Sequence, residues 1–254
     1  MRHLLFFLIL ILAATTTFAM QGPQVMFDQA NKILENGDYP SALESYRNIE
    51  QMGEVSGALY LNMGIAALQI DSLGLAKYYF LKSADFSTTQ ESAKLAIQYV
   101  ESQFSRQSAM LPKLPWDNAV DTLKEGPGAT GVFVVGFILI LISTGIIILG
   151  WFGRITLIKQ STTITLATLA SILVVALAFY VDYIDQRYHE GVVIAKEIPV
   201  TQQPNETSDL VSLAYEGYTV TIDQFESKKN EGWYYIRLGN GQFGWIKPEG
   251  AKIL

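Results

Sequence analysis

The chain has 254 residues, of which 50% are hydrophobic and 17% are charged, and its formal net charge is −6. It contains no cysteine, so we expect no lipoprotein anchor, no disulfide framework and no thiolate metal site. The two histidines, His3 and His189, are too few for a zinc site built from several histidines, and His3 lies in a segment that we expect to be removed. A Ser-His-Asp relay would depend on His189 alone. We therefore expect that the protein has no enzymatic activity, that it binds no cofactor or metal ion, and that nucleic acid is not among its partners.

Residues 1–19 are typical of a signal peptide. A basic start at Arg2 precedes an apolar run over 4–13, which is too short to span a membrane comfortably. The Thr-Phe-Ala sequence at 17–19 then places small residues at the −3 and −1 positions. This pattern predicts cleavage before Met20, and the alternative is an uncleaved membrane anchor.

Residues 20–107 are predicted to form a helical domain with a 34-residue period. The stretch 36–46 (NGDYPSALESY) closes one helix and opens the next, and a second copy follows 34 residues later. Both copies keep small residues where two helices meet and large residues beside them. The matching pairs are Ala30 with Gly64, Tyr39 with Leu73, Ala42 with Ala76, and Tyr46 with Phe80. An amphipathic helix over 90–105 would cover the last exposed face.

This pattern resembles the tetratricopeptide repeat (TPR). The second copy departs from the family in its turn, which reads Asp71-Ser72-Leu73 instead of Gly-Asp-Tyr, and in Thr88, where the family has a proline. The resemblance implies a concave groove on the first helix of each repeat. Either the terminal helix or a second copy of the chain covers this groove, or it binds an apolar or helical segment of a partner. The groove positions are Gln24, Phe27, Asn31, Leu34, Ala58, Leu61, Ile65 and Leu68.

Residues 108–130 are predicted to be a linker. Pro112 and Pro115 break helices. The amphipathic piece that begins at Trp116 either lies on the membrane surface or is an ordinary part of the linker.

Two apolar segments, 131–152 and 162–182, are predicted to be transmembrane helices. The first has 22 residues and no ionisable side chain, which covers roughly 33 Å at about 1.5 Å per residue. The second is equally apolar as far as Val181. Because neither span carries a buried charge, we interpret the hairpin as an anchor, with a channel as the alternative.

The charges around the hairpin predict its orientation. The turn over 153–161 carries Arg154 and Lys159 and no acidic residue, whereas residues 20–130 hold 8 basic against 13 acidic residues and residues 182–254 hold 7 against 11. The positive-inside rule places the turn in the cytoplasm. We therefore expect both large parts of the chain to lie outside, as a cleaved signal peptide also requires.

Residues 190–254 are predicted to form a small β domain. The run 232–246 (GWYYIRLGNGQFGWI) alternates between apolar and polar residues around a Gly-Asn-Gly turn, and 192–196 is predicted to be the first strand. The run resembles the signature of bacterial SH3 domains. The family's Arg-Ser-Gly-Pro stretch is replaced by 200–204 (VTQQP), which weakens any transfer of cell-wall peptide binding. The aromatic residues Trp233, Tyr235, Phe243 and Trp245 either pack the core of the barrel or face a ligand.

The order of these parts resembles one family. A signal peptide, two TPR-like repeats, two spans and a C-terminal SH3-like domain occur in the BatE-like members of the Bat (Bacteroides aerotolerance) group. The sequence thus predicts a multidomain membrane protein with an all-α repeat region, a two-helix transmembrane hairpin and an all-β SH3-like barrel. The resemblance implies the inner membrane of a diderm bacterium, with both soluble domains in the periplasm.

Two functions follow from this architecture. The first is a non-enzymatic periplasmic scaffold for protein–protein interaction, whose implied partners are Bat proteins with von Willebrand A-like domains. The resemblance implies that this scaffold would act in aerotolerance or the envelope stress response. The second is a peptidoglycan-binding module held by the hairpin. A second copy of the chain is a further partner to consider.

Overall fold

The computed structural model describes residues 21–106, 111–112, 115–152 and 161–254. The expected signal peptide over 1–19, several linker residues, and Arg154 and Lys159 of the expected cytoplasmic turn lie outside the described residues.

Helices occupy most of the N-terminal two thirds of the described chain, and strands follow. The longer helices are α1 (Gln21–Glu35), α2 (Tyr39–Gln51), α3 (Gly57–Gln69), α4 (Leu73–Ala84), α5 (Gln90–Gln103), α6 (Pro115–Glu125), α7 (Gly128–Trp151) and α8 (Ser161–Arg187). The strands are β1 (Tyr188–Val193), β2 (Glu197–Thr201), β3 (Leu210–Tyr215), β4 (Thr219–Asp223), β5 (Tyr234–Leu238), β6 (Phe243–Ile246) and β7 (Ala251–Ile253), with a short helix α9 (Gln224–Ser227) after β4.

The chain divides into two compact units. The first combines α1–α5 with Glu190–Ile222 and Lys229–Leu254, which we call the helical module and the β module. The second combines α6–α8 with the short segment Asp223–Lys228.

The two helix pairs of the helical module turn on the same backbone conformation. Gly37 ends α1 with a φ of 81°, and Asp71, 34 residues later, ends α3 with a φ of 57°. Aspartate is one of the few residues other than glycine that tolerates this left-handed region. The side chain of Asp38 then caps α2 by accepting a hydrogen bond from the Ser41 N–H at 3.3 Å. The second turn keeps the left-handed backbone conformation of the first, although its capping residue Ser72 makes no side-chain cap hydrogen bond.

The small residues predicted from the repeat lie where the helices cross. Ala30, Ala42 and Ala76 are completely buried. At Gly64 a Cβ atom would lie 2.4 Å from Cε1 of Phe80, so only glycine fits beside that ring. The predicted helical N-terminal region is confirmed, and its last helix ends at Gln103, two residues before the predicted end.

Two helices are long and apolar enough to cross a membrane. The candidate spans are Gly128–Trp151, with a mean hydropathy of 3.0, and Ile164–Arg187, with a mean hydropathy of 2.4. Only 17% of each apolar window is buried, which is far less than the core helix of a soluble domain would show. The two helices approach closely at Gly136, where a Cβ atom would lie 2.8 Å from Cγ2 of Val175. These helices fit a membrane protein.

Helix α8 runs directly into the first strand. Strand β1 begins at Tyr188 and ends at Val193, so the prediction of a strand over 192–196 was wrong by several residues. The displacement follows from pairing with the C-terminal strand, in which Gly191 lies opposite Ile253 and Val193 opposite Ala251.

The strands form one seven-stranded sheet in the order β3-β2-β6-β5-β4-β1-β7. The described pairs β1–β7, β2–β3, β2–β6 and β5–β6 are all antiparallel. Side chains from most strands meet in one apolar core, which contains Val193, Ile198, Val200, Ala214, Val220, Ile222, Ile236, Leu238, Ile246 and Ala251. The predicted all-β C-terminal domain is confirmed, and its antiparallel sheet is consistent with the predicted SH3-like fold.

Candidate binding surfaces

The outward face of the β5–β6 hairpin carries a row of aromatic and basic side chains. Along β5, Ile236 and Leu238 point into the core, so Tyr235 and Arg237 point away from it. In the paired strand, Trp245 lies opposite Tyr235, and Phe243 lies opposite Arg237. These cross-strand pairs bring residues from two strands onto one face.

The rings of this face are in direct contact. The ring centroids of Tyr235 and Trp245 are 4.9 Å apart, and those of Tyr235 and Phe243 are 6.0 Å apart with nearly parallel planes. The Arg237 guanidinium lies 5.8 Å from the centre of the Phe243 ring. Phe243 is 52% exposed, whereas Trp245 is only 8% exposed and Tyr235 is half-buried, so Phe243 is the most exposed of these rings.

A second aromatic–cation pair extends the row at the other end of the hairpin. The Lys247 ammonium lies 4.4 Å from the centre of the Trp233 ring and 3.2 Å from a carboxylate oxygen of Glu206. We call the set Trp233, Tyr235, Phe243 and Trp245, with Arg237 and Lys247, the aromatic row. From residue 233 to residue 237 it measures about 13 Å along the strand at roughly 3.3 Å per residue.

Both Gly-Trp dipeptides of the row have a structural reason for their glycine. Gly232 has a φ of 79°, a conformation that L side chains rarely adopt. At Gly244 a Cβ atom would lie 2.5 Å from Cγ1 of Val200, because β6 passes close to β2. Each glycine thus allows the backbone to present the tryptophan that follows it.

The two tryptophans lie outside the main apolar cluster of the sheet, although Trp245 is itself buried. Neither Trp233 nor Trp245 belongs to the cluster that fills the domain. Trp245 is covered on its outward side by the ring of Tyr235, and Trp233 is half-buried beneath Lys247. The structure thus divides the set, because Trp245 is packed beneath Tyr235, whereas Trp233 and Phe243 keep accessible ring surface.

The predicted groove residues of the helical module lie on α1 and α3 and stay partly open. The amide Nδ2 of Asn62 on α3 donates to Oδ1 of Asn31 on α1 at 2.9 Å, which joins the two groove-lining helices. Helix α5 does not bury the groove, because none of the eight residues is fully buried in the described structure. Gln24 and Ala58 are exposed, and the half-buried apolar members are Phe27, Leu34, Leu61, Ile65 and Leu68.

The buried Tyr46 contacts two of the groove residues from the core side. The Tyr46 hydroxyl donates to the same Oδ1 of Asn31 at 2.7 Å, and its ring lies 5.9 Å from that of Phe27. Burial raises the pKa of Tyr46 to about 12, against a smaller opposing effect of its hydrogen bond with Asn62. The neutral hydroxyl therefore fixes the position of a groove side chain.

A lysine cluster joins α2, α3 and α4 elsewhere in the helical module. The Lys82 ammonium is 2.9 Å from Oε1 of Glu50 and 4.2 Å from the centre of the Tyr60 ring. Burial alone would lower the pKa of Lys82, but its hydrogen bonds with Tyr60 and Glu50 outweigh that effect and raise it. This cation is held in its charged form and has the contacts of a structural group.

Sequence reasoning missed the contact between the helical module and the β module. The buried Glu216 accepts a hydrogen bond from the Gly74 N–H at 2.9 Å and pairs with Lys196 at 2.8 Å. In the same contact, the Lys77 ammonium donates to the Gly217 carbonyl at 3.0 Å. No local sequence signal could have found the bonds of Gly74 with Glu216 and of Lys77 with Gly217, because their members lie about 140 positions apart.

The apolar part of this contact is continuous with the core of the helical module. Val192 of β1 is fully buried within that core. Gly217, with a φ of 83°, packs against Phe104, whose ring carbon lies 2.1 Å from the position that a Cβ would take. The Arg106 guanidinium stacks 4.1 Å from the centre of the Tyr215 ring. The β module is therefore built against the helices.

The described residues offer no metal site. In the ranges 21–106, 111–112, 115–152 and 161–254, no group of three or more His, Asp or Glu side chains is placed to hold a metal ion.

Comparison with protein families supports the assignment of the β module. Residues 180–250 match the model of the GW (Gly-Tryp) dipeptide domain. The matched range contains both Gly-Trp dipeptides and the whole aromatic row. A comparison with curated proteins found no match.

Proposed function

We propose that this chain is a non-enzymatic, membrane-anchored protein whose β module binds the peptidoglycan of the bacterial cell envelope. The observation that supports it most is the aromatic row on the outward face of the β5–β6 hairpin. The GW match points in the same direction, because GW domains are bacterial SH3-like domains associated with cell-wall binding.

The chemistry of the row suits a glycan that carries peptides. The C–H faces of sugar rings pack on the negative faces of aromatic rings, and Phe243 offers such a face beside Tyr235. Peptide carboxylates pair with guanidinium and ammonium groups, and Arg237 and Lys247 stand at the two ends of the row. A ligand with both kinds of group would contact the whole length of the hairpin.

The proposed location is the inner membrane, with both modules in the periplasm. Its support is the net-positive turn with Arg154 and Lys159 and the signal-like residues 1–19. The same reasoning assigns α7 and α8 as the membrane anchor. In that arrangement the β module would meet the peptidoglycan layer from the membrane side.

The test is co-sedimentation of the full-length chain in detergent with purified sacculi. The full chain is required because Val192 is buried among the helices and would be exposed in an isolated β module. Phe243→Ala should weaken binding about 2- to 10-fold, since one ring contact contributes about 0.5–1.5 kcal/mol beyond area burial.

The matched control is Leu210→Ala, which removes a side chain of similar exposure from β3 and should leave binding unchanged. Equal binding by the Phe243 and Leu210 variants would show that the aromatic row is not the site. A wild-type chain that stays in the supernatant would reject the function itself.

A second candidate is a periplasmic scaffold, and the half-open groove of the helical module favours it. Its five half-buried apolar residues are what a TPR-like array would use to hold an apolar segment of a partner. The BatE-like resemblance would make that partner a membrane protein with a von Willebrand A-like domain, and a second copy of this chain is the competing occupant. Leu61→Glu should abolish capture of such a partner and leave binding to sacculi unchanged.

A further inference from the structure

One segment after β4 packs against the end of α8. In Asp223–Lys228, the Oδ2 atom of Asp223 accepts hydrogen bonds from Nε and Nη2 of Arg187 at 2.8 and 2.7 Å. The two side chains are only 9% and 24% exposed. The other carboxylate oxygen, Oδ1, accepts from the N–H groups of Phe225 and Glu226 at 3.0 Å each and so caps α9. One side chain therefore fixes the short helix and joins it to the last turn of α8.

Asp223–Lys228 packs against the end of α8 that we expect to lie at the membrane surface. Phe179, Tyr180 and Tyr183 are exposed near the C-terminal end of α8, and aromatic side chains of this kind concentrate at membrane–water interfaces. Tyr183 lies one helical turn before Arg187, about 6 Å along the axis. Arg187 also donates a hydrogen bond to the Tyr183 hydroxyl.

Phe225 adds a further ring to the aromatic side chains at the end of α8. Its ring is 5.9 Å from that of Tyr183 in an edge-to-face arrangement. Both residues remain partly open, with Phe225 38% and Tyr183 40% exposed. Phe225 lies outside the apolar clusters of both modules. Packing in a hydrophobic core therefore does not explain a phenylalanine at this position of the four-residue helix.

The charges at this level do not form a basic patch. Asp182, Asp185 and Glu226 are acidic, Lys124 is paired with Asp185 at 2.9 Å, and Arg187 is paired with Asp223, while Lys228 and Lys229 are exposed. Because acidic and basic side chains are mixed at this level, the proposal does not rest on attraction to anionic lipid. The exposed ring of Phe225 is the group that gains from leaving water.

We propose that Asp223–Lys228 is a second membrane contact of this chain, in which Phe225 inserts beside Tyr183 into the headgroup layer of the bilayer that surrounds the hairpin. The continuity of Phe225 with the aromatic end of a candidate span identifies the lipid as its partner. The proposal requires that α8 cross a membrane. It does not depend on what the β module binds.

The test uses single-cysteine variants, which the cysteine-free sequence makes simple. The full-length chain is reconstituted in phosphatidylcholine vesicles with an environment-sensitive fluorophore at Phe225→Cys. Tyr183→Cys provides the reference at membrane depth, and Phe243→Cys on the β module provides the reference in water. Quenching by a lipid with a nitroxide near its headgroup is compared with quenching by aqueous iodide.

The label at 225 should show the blue-shifted emission and the lipid quenching of the label at 183, independently of salt concentration. Asp223→Asn keeps the cap of α9 but removes the ion pair with Arg187. In that background the label at 225 should shift toward the emission of the label at 243, while the label at 183 stays unchanged. Iodide quenching at 225 equal to that at 243 in the wild-type background would overturn the proposal. If the label at 183 were also in water, the assignment of α8 as a membrane span would fail as well.

Discussion

At the scale of single residues, Tyr46 shows how a repeat position acquires a second role. The 34-residue period predicts a large residue there, and the ring does fill the core of the helical module. Its hydroxyl was not predictable, because the partner Asn31 lies on another helix, 15 positions away. Because burial raises the pKa of this hydroxyl, stability depends on the protonation state of a tyrosine.

The raised pKa of Tyr46 predicts a loss of stability at alkaline pH. An unfolded chain releases the tyrosine proton near pH 10, whereas the folded chain holds it to about pH 12. Between these values the folded state binds more protons, so the free energy of unfolding falls as the pH rises through that range. Below it the contribution is fully present.

Tyr46→Phe should make the chain about 1 kcal/mol less stable at neutral pH, through the lost hydrogen bond to Asn31. The same variant should lose stability less steeply than wild type as the pH rises from about 10 to about 12. Thermal unfolding followed by circular dichroism measures both effects. Tyr99→Phe, at an exposed position of α5, is the control and should follow wild type. Parallel curves for Tyr46→Phe and wild type would contradict the role of this hydroxyl.

Gly64 predicts a steric effect at the crossing of α3 and α4. In Gly64→Ala the new methyl group would lie 2.4 Å from the Phe80 ring, which is 1% exposed and has no space to move into. We expect a loss of about 1–3 kcal/mol in the free energy of unfolding, despite the better helix propensity of alanine. Gly22→Ala, with no atom within 4 Å of its Cβ position, should be neutral or slightly stabilising. A double variant with Phe80→Leu should recover part of the loss; no recovery would mean that the clash is not the cause.

At the scale of elements, periodicity made the helices and strands predictable and left their contacts unknown. Helix α5 and the β5–β6 hairpin were evident because their apolar residues recur every 3.6 or every 2 positions. Strand β1 was misplaced because its position depends on pairing with β7 at the other end of the domain. The contact between Gly74 and Glu216 has no recognisable sequence pattern. A glycine near the start of a helix and an acidic residue in a turn occur in most proteins.

That contact predicts coupling between the two modules. Glu216→Ala leaves the Gly74 N–H and the Lys196 ammonium without their shared partner, which should cost about 1–3 kcal/mol. Hydrogen exchange of the amides in the first turn of α4 is the local readout, and it should accelerate in this variant. The exposed Glu197 serves as control, because Glu197→Ala should leave that exchange unchanged. Unchanged exchange in Glu216→Ala would mean that the carboxylate does not hold the contact.

At the scale of the whole molecule, the sequence predicted the order of the domains better than it predicted which surface binds a ligand. The order of helical region, two apolar helices and β domain follows from the 34-residue repeat, the hydropathy of the two spans and the strand pattern around the Gly-Asn-Gly turn. The aromatic row required the register of β5 and β6, because only the pairing of Tyr235 with Trp245 shows which side chains share a face. That register, together with the GW match, is why the envelope-binding function now stands ahead of the scaffold.

Photo-crosslinking in native membranes tests the envelope-binding claim most directly. A photoreactive group at Phe243→Cys on the cysteine-free chain should become joined to peptidoglycan fragments, which mass spectrometry identifies after digestion of the sacculus. The same group at Leu210→Cys, on the edge strand β3, should yield few or none. Capture of proteins alone at position 243, or equal capture of peptidoglycan at both positions, would contradict the account.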